Sequence, residues 1–256
     1  MTPAAALSDE ELDRYARHIV LPQIGGAGQA TLKAAHVAII GAGGIGCPAL
    51  LYLTAAGVGT ITLIDDDDIA LSNLQRQIAF GTADVGQSKV NVAAAAAVRL
   101  NAHVRIAPQR ARIADANAAA LLTGADIILD GCDNFATRLA VNRASIVRRI
   151  PLISAAIGAF EGQIAHFRGW EDDQSCYACL VGDQPDRPEA NCAEAGVLGA
   201  LAGVIGTFAA LEVVRALVPF GTALTGHLFL SDMIDRRVRE IRIVKDPQCP
   251  ACRKSI

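Results

Sequence analysis

Two sets of residues in this 256-residue chain combine type and spacing in ways that do chemistry. The first is Gly41-Ala42-Gly43-Gly44-Ile45-Gly46, which fits G-x-G-x-x-G. It follows an apolar run, Val37 to Ile40, and precedes an Ala/Leu-rich segment from Cys47. That context predicts a strand, a tight turn and a helix whose N-terminus receives an anion. Asp65 lies 19 residues after Gly46, at the end of a second apolar run. A carboxylate there can accept hydrogen bonds from ribose hydroxyls. No G-K-[ST] follows the glycines, so the pattern is not a P-loop. The second set is Cys176-Tyr177-Ala178-Cys179 and Cys249-Pro250-Ala251-Cys252, two C-x-x-C pairs with 69 residues between them. Four thiolates so spaced suit a tetrahedral zinc ion. A redox dithiol in one pair is the competing reading.

A polar segment follows Asp65. Asp66, Asp67 and Asp68 continue the acidic run, which a solvated turn would also produce. Then come Ser72-Asn73-Leu74-Gln75-Arg76 and Gly86-Gln87-Ser88-Lys89. Lys89 opens an Ala-rich predicted helix, where the helix dipole disfavours a cation. It is well placed only if it faces a polyphosphate; an exposed lysine at small cost would look the same. Asp130-Gly131-Cys132-Asp133-Asn134 follows the run Ile127-Ile128-Leu129. This is the carboxyl end of a predicted parallel strand, where open α/β sheets bind ligands. Asp133 and Asn134 would equally serve a cap and turn.

These residues need elements to hold them. Ser8-Asp9-Glu10-Glu11 predicts a capped helix over 9–19. Gly25 to Gly28 predicts a glycine-rich connection. Strands are expected at 37–40, 60–64, 104–107, 126–129 and 151–155, with helices at 89–100 and 114–122 between them. The alternation predicts an α/β fold, a Rossmann-like doubly wound and mostly parallel sheet. Runs at 163–167, 227–230 and 239–243 read as half-exposed strands that extend it antiparallel. One domain over 1–256 is expected, with a nucleotide-binding part about 36–155 and a zinc part about 156–256.

Apolar residues make up 52% of the chain and charged residues 19%, which excludes general disorder. Lys plus Arg is 23 against 26 Asp plus Glu, so no basic surface for nucleic acid is expected. Seven cysteines, an odd number, argue against a secreted disulfide framework. The N-terminus lacks a basic start and an apolar core, so a signal peptide is not expected. The uncharged stretch 195–211 contains four glycines and reads as a buried, closely packed helix rather than a membrane span. A cytoplasmic protein is expected.

The glycine loop, Asp65, 72–76, Lys89 and Asp133-Asn134 together resemble the E1-like adenylyltransferases of the MoeB/ThiF/HesA type. The resemblance runs from Arg14-Tyr15-Ala16-Arg17-His18 to the last cysteine pair; it implies that the part about 156–256 binds a carrier as well as zinc, and no rhodanese extension is expected. It implies that ATP and Mg²⁺ are used to adenylate the C-terminal Gly-Gly carboxylate of a small ubiquitin-like sulfur carrier, ahead of thiocarboxylate formation. It implies nucleotide contacts from Gly41, Gly43, Gly44, Gly46, Asp65, Ser72, Asn73, Leu74, Gln75 and Asn134. Arg76 and Lys89 would hold phosphates, Asp133 would hold Mg²⁺, and Cys176, Cys179, Cys249 and Cys252 a structural Zn²⁺. Arg17 would reach a neighbouring subunit's site, so a homodimer is implied; a surface ion pair would explain it as well. Cys192 occupies the position of a sulfur-reactive cysteine in some relatives, or is an incidental thiol. A sulfurtransferase is a possible second partner. The remaining readings are an NAD-dependent oxidoreductase, a non-catalytic zinc-stapled carrier-binding protein, and an enzyme that adenylates a small carboxylate. The five histidines are scattered and no catalytic set is read from them. Cys47 and Cys132 are expected to be packing residues.

Overall fold

The computed structural model describes residues 6–183 and 196–253. The chain begins with α1 (Asp9–Arg14), α2 (Ala16–Ile19) and α3 (Gly25–Ala34). Then β1 (His36–Ile40), α4 (Gly46–Ala55), β2 (Thr60–Ile64), α5 (Lys89–Leu100), β3 (Arg105–Gln109), α6 (Asp115–Leu121), β4 (Ile127–Asp130), α7 (Phe135–Arg148) and β5 (Leu152–Ile157) alternate. β6 (Glu161–Phe167), α8 (Tyr177–Val181), α9 (Gly199–Leu217), β7 (His227–Asp232) and β8 (Arg237–Arg242) complete the fold.

One eight-stranded sheet carries the order β3-β2-β1-β4-β5-β6-β7-β8. The first five are parallel and the last three add antiparallel. The order reverses between β1 and β4, which opens a crevice at their carboxyl ends. Both faces of β1 are buried. Val37 and Ile39 enter one core with Leu50 and Leu53 of α4, Val90 and Ala93 of α5 and Ile205 of α9. Ala38 and Ile40 enter the other with Leu122, Leu139 and Phe167. The period of two, apolar on both sides, is what a sheet covered on both faces demands.

α9 passes the length and composition test for a membrane span, with mean hydropathy 1.7. Here it packs on α4 and on β4, β5 and β6. A Cβ at Gly206 would meet Ile45 O at 2.5 Å, so the expected close packing through small residues is what the glycine permits.

Four expectations need correction. The glycine-rich stretch at 25–28 opens α3 instead of forming a connection; Gly28 lets that helix approach Val218. The helix expected over 9–19 breaks at Tyr15, whose buried ring sits beside Gly57. α7 was not foreseen, because its apolar positions are interrupted by three arginines and an asparagine. β6 is mostly buried where half exposure was expected, since α9 covers the face with Ile164 and Tyr177 of α8 packs on Phe167 of the other, while all of β8 is exposed.

Candidate functional site

The crevice between β1 and β4 widens into a cleft of about 1070 Å³. It runs from the glycine turn to the antiparallel strands β7 and β8. Gly41 opens it with φ at 90°, a backbone that favours glycine. A Cβ at Gly46 would lie 1.8 Å from Gly41 O, so only glycine allows the turn to close on the first residue of α4. Gly41, Gly43 and Gly44 line the cleft, while Gly46 serves by this close approach.

Asp65 ends β2 and holds this turn. Its Oδ2 accepts a hydrogen bond from Ala42 N and its Oδ1 from Asp67 N, both at 2.8 Å. Burial pushes the carboxyl above its ordinary range, and the Lys89 charge works against that shift. Each oxygen keeps a lone pair, which leaves room for hydroxyl donors.

Lys89 is the first residue of α5 and is buried, so the exposed-lysine reading fails. Its Nζ pairs with Asp67 Oδ2 at 2.7 Å. Asp66 pairs with Arg112 Nε at 3.1 Å. Carboxylate oxygens of Asp65, Asp66 and Asp67 lie within 4.8 Å of one another, so each cation offsets part of their repulsion.

Of the segment 72–76, Asn73 and Arg76 reach the cleft. Arg76 Nη1 donates to Ser72 O at 3.0 Å. Ser72, Leu74 and Gln75 do not line it. Leu74 packs on the core, and the Gln75 backbone lies against Gly199 of α9. Asp133 is exposed on the cleft wall. Asn134 also lines the cleft, and its Oδ1 accepts from Thr137 N at 2.8 Å as the cap of α7. Arg17 is exposed on α2, outside its own chain's cleft. Cys192 lies outside the described residues. Burial raises the Cys47 thiol to about 12 and, with Asp130 beside it, pushes the Cys132 thiol up. Both are poor nucleophiles; Cys47 is a buried packing residue, whereas Cys132 is half-buried and also lines the cleft.

Several cleft residues escaped the sequence reading: Gln77, Arg112, Arg138, Tyr177, Arg237 and Arg239. A signal for Arg138 existed. It is a cation near a helix N-terminus, the same anomaly that marks Lys89, but the polar residues within α7 hide that helix in the sequence. Arg237 and Arg239 share one face of β8 by the strand period, yet that they share a cleft with the glycine turn is a matter of sheet order.

The four cysteines of the C-x-x-C pairs converge at the far end of α7. Cys176 and Cys179 sulfurs lie 3.8 Å apart, Cys176 and Cys249 3.7 Å, and Cys179 and Cys252 3.5 Å. A tetrahedron with zinc–sulfur bonds of about 2.3 Å requires sulfurs about 3.8 Å apart, so the cluster fits a zinc ion. The hydrogen bond between Cys176 and Cys179 pulls the Cys179 thiol down and pushes the Cys176 thiol up.

Residues 15–251 match the ThiF family model. This chain belongs to the ThiF family. It is 42% identical over 248 residues to a sulfur carrier protein adenylyltransferase of Thermus thermophilus, covering 95% of this chain and 91% of that protein. It is 41% identical over 251 residues to the molybdopterin-synthase adenylyltransferase of Escherichia coli, covering 97% and 99%. A crystal structure of Escherichia coli MccB with selenomethionine MccA superposes with a TM-score of 0.81 at 23% identity, covering 96% of this chain and 75% of that one; this likeness concerns the fold. The two ThiF-family relatives are named adenylyltransferases, and this chain is an enzyme of that E1-like nucleotidyltransferase class. The oxidoreductase reading falls with this assignment.

Proposed function

We propose that the chain adenylates the C-terminal Gly-Gly carboxylate of a small ubiquitin-like sulfur carrier. One observation carries most of the reading. A buried lysine at a helix N-terminus faces the glycine turn and Asp65 in one cleft, and that cleft continues to an arginine-bearing exposed strand. The nucleotide half suits ATP and the far half suits a peptide tail.

The ribose would hydrogen-bond to Asp65, and the phosphates would meet the amides at the start of α4 with Lys89 and Arg76. A carboxylate oxygen of the carrier attacks the α-phosphorus. The bond from that phosphorus to the bridging oxygen breaks, and pyrophosphate leaves with the electron pair. The product is the mixed anhydride of carrier and AMP. Two anions must meet, so the chain supplies positioning and charge neutralisation and no nucleophile is needed. Asp133, a hard oxygen donor on the cleft wall, fits Mg²⁺, which would neutralise phosphate charge when bound. Arg237 and Arg239 line the far half of the cleft, where the carrier's tail would enter. The four-cysteine cluster would hold Zn²⁺ and staple the residues after β8 to α8. Arg17 would serve the partner's site in a cytoplasmic homodimer, and a sulfurtransferase would consume the adenylate.

The test is ATP–pyrophosphate exchange with a purified carrier. Exchange that requires the carrier's terminal Gly-Gly is expected. Carrier-independent exchange, or none with any Gly-Gly carrier, would overturn the reading.

A further inference from the structure

Arg138 and Asn142 lie one turn apart on the buried face of α7. Arg138 reaches the cleft and Asn142 reaches the cysteine cluster. The guanidinium donates to Ser154 Oγ at 2.9 Å and to Ala155 O at 2.8 Å on β5, and to Cys132 O in the turn after β4. Its Nη1 is 3.8 Å from Asp130 Oδ2, a buried oxygen with no hydrogen-bond partner of its own. One buried cation therefore ties the ends of β4 and β5 and anchors the turn that carries Asp133.

The same guanidinium lies over the Tyr177 ring, 5.8 Å from its centre. Tyr177 follows Cys176 directly in the chain. Its backbone N–H donates to Asn142 Oδ1 at 2.9 Å, and Asn142 Nδ2 donates to Cys176 Sγ at 3.6 Å. The ring also stands edge-on to Phe167 at 6.0 Å. The seat of the ring is thus set by the turn that the cluster closes.

We propose that Arg138 is a positioning residue for the nucleotide cleft, and that metal loading of the cysteine cluster sets its position through Tyr177 and Asn142. The inference rests on the nucleotide reading of the cleft. A buried ion pair without a direct hydrogen bond depends on the contacts around it. Loss of metal loosens the 176–179 turn, shifts the Tyr177 ring and frees the guanidinium from Cys132 O. The turn bearing Asp133 then loses its anchor. Coupling of this kind is reciprocal: nucleotide must alter metal affinity by the factor that metal alters nucleotide affinity.

The experiment measures zinc affinity of the full chain by competition with 4-(2-pyridylazo)resorcinol. It is run with and without a saturating ATP analogue carrying a methylene bridge between the α- and β-phosphates. In the wild type the analogue should tighten zinc about fivefold or more, and zinc removal should weaken the analogue by the same factor in calorimetry. Asn142→Ala should retain one zinc and bind the analogue, with the coupling lost. Zinc affinity indifferent to the analogue in the wild type would overturn the inference, whatever the variant does. So would coupling undiminished in Asn142→Ala. If the zinc-loaded wild type binds no analogue at all, the nucleotide reading fails together with this inference; binding without coupling sinks this inference alone.

Discussion

Lys89 Nζ sits 2.7 Å from Asp67 Oδ2, the lysine buried and the carboxylate open to the cleft. The pair holds a cation ready at the N-terminus of α5, where the helix dipole would otherwise disfavour it. A polyphosphate entering the cleft competes for the same ammonium. Lys89→Ala should lower the rate of pyrophosphate exchange by about 10²–10³, the scale of one preorganised charge contact in a dry site. Asp67→Asn removes the competitor and should lower the KM for ATP two- to fivefold, roughly 0.4–1 kcal/mol. An unchanged rate in Lys89→Ala would remove the lysine from catalysis.

The glycine turn separates folding from binding. Gly46→Ala would drive a Cβ into Gly41 O, backbone against backbone, and should destabilise the chain by about 3 kcal/mol or more in urea unfolding. At Gly43 the nearest atom to an added Cβ is Gln77 Nε2 at 3.9 Å. Gly43→Ala should therefore fold with near-normal stability, yet bind ATP at least tenfold more weakly by calorimetry, because the methyl occupies the path of approach to the backbone. Equal losses of stability in both variants would contradict the distinction.

The cysteine cluster should bind one zinc per chain by elemental analysis. Stripping the metal should lower the melting temperature by about 5–10 °C, since a few kcal/mol act on a chain of this size. Cys249→Ser and Cys179→Ser should each reproduce most of that shift. A metal-free, fully stable protein would mean that the sulfurs converge for another reason.

His166 is buried on β6, with Nδ1 hydrogen-bonded to Thr225 Oγ1 at 3.0 Å. Burial, with the Arg168 charge adding to it, lowers its pKa from 6.5 to about 4. The folded state thus favours neutral imidazole, and the unfolded chain binds the extra proton between those values. Stability from this group is complete above about pH 6.5 and falls as the pH drops towards 4, by roughly 3 kcal/mol in total. Urea unfolding at pH 7 and pH 4.5 should show that loss, and His166→Asn should show a smaller one.

Arg237 and Arg239 reach the cleft from an exposed strand. Reversing both to Glu should raise the KM for the carrier tenfold or more while leaving the KM for ATP within twofold. A matching rise in both constants would place the arginines at the nucleotide instead.

The half of the cleft around the glycine turn was largely written in local sequence. A glycine turn after a buried strand, a carboxylate at the end of the next strand and a misplaced lysine each carry a signal within a few residues. β2 and α5 fall where their residues predicted, because burial on both faces leaves a continuous apolar run and an alanine-rich helix has no competing local structure. The C-x-x-C pairs were legible for the same reason. Tertiary structure decided the rest. The strand order brings Arg237 and Arg239 into the cleft, packing on both faces buries β6, and α7 joins the Asp130 turn to the cysteines. Those relationships cross tens of residues of chain, and side-chain types with a local period do not encode which distant surface they will meet.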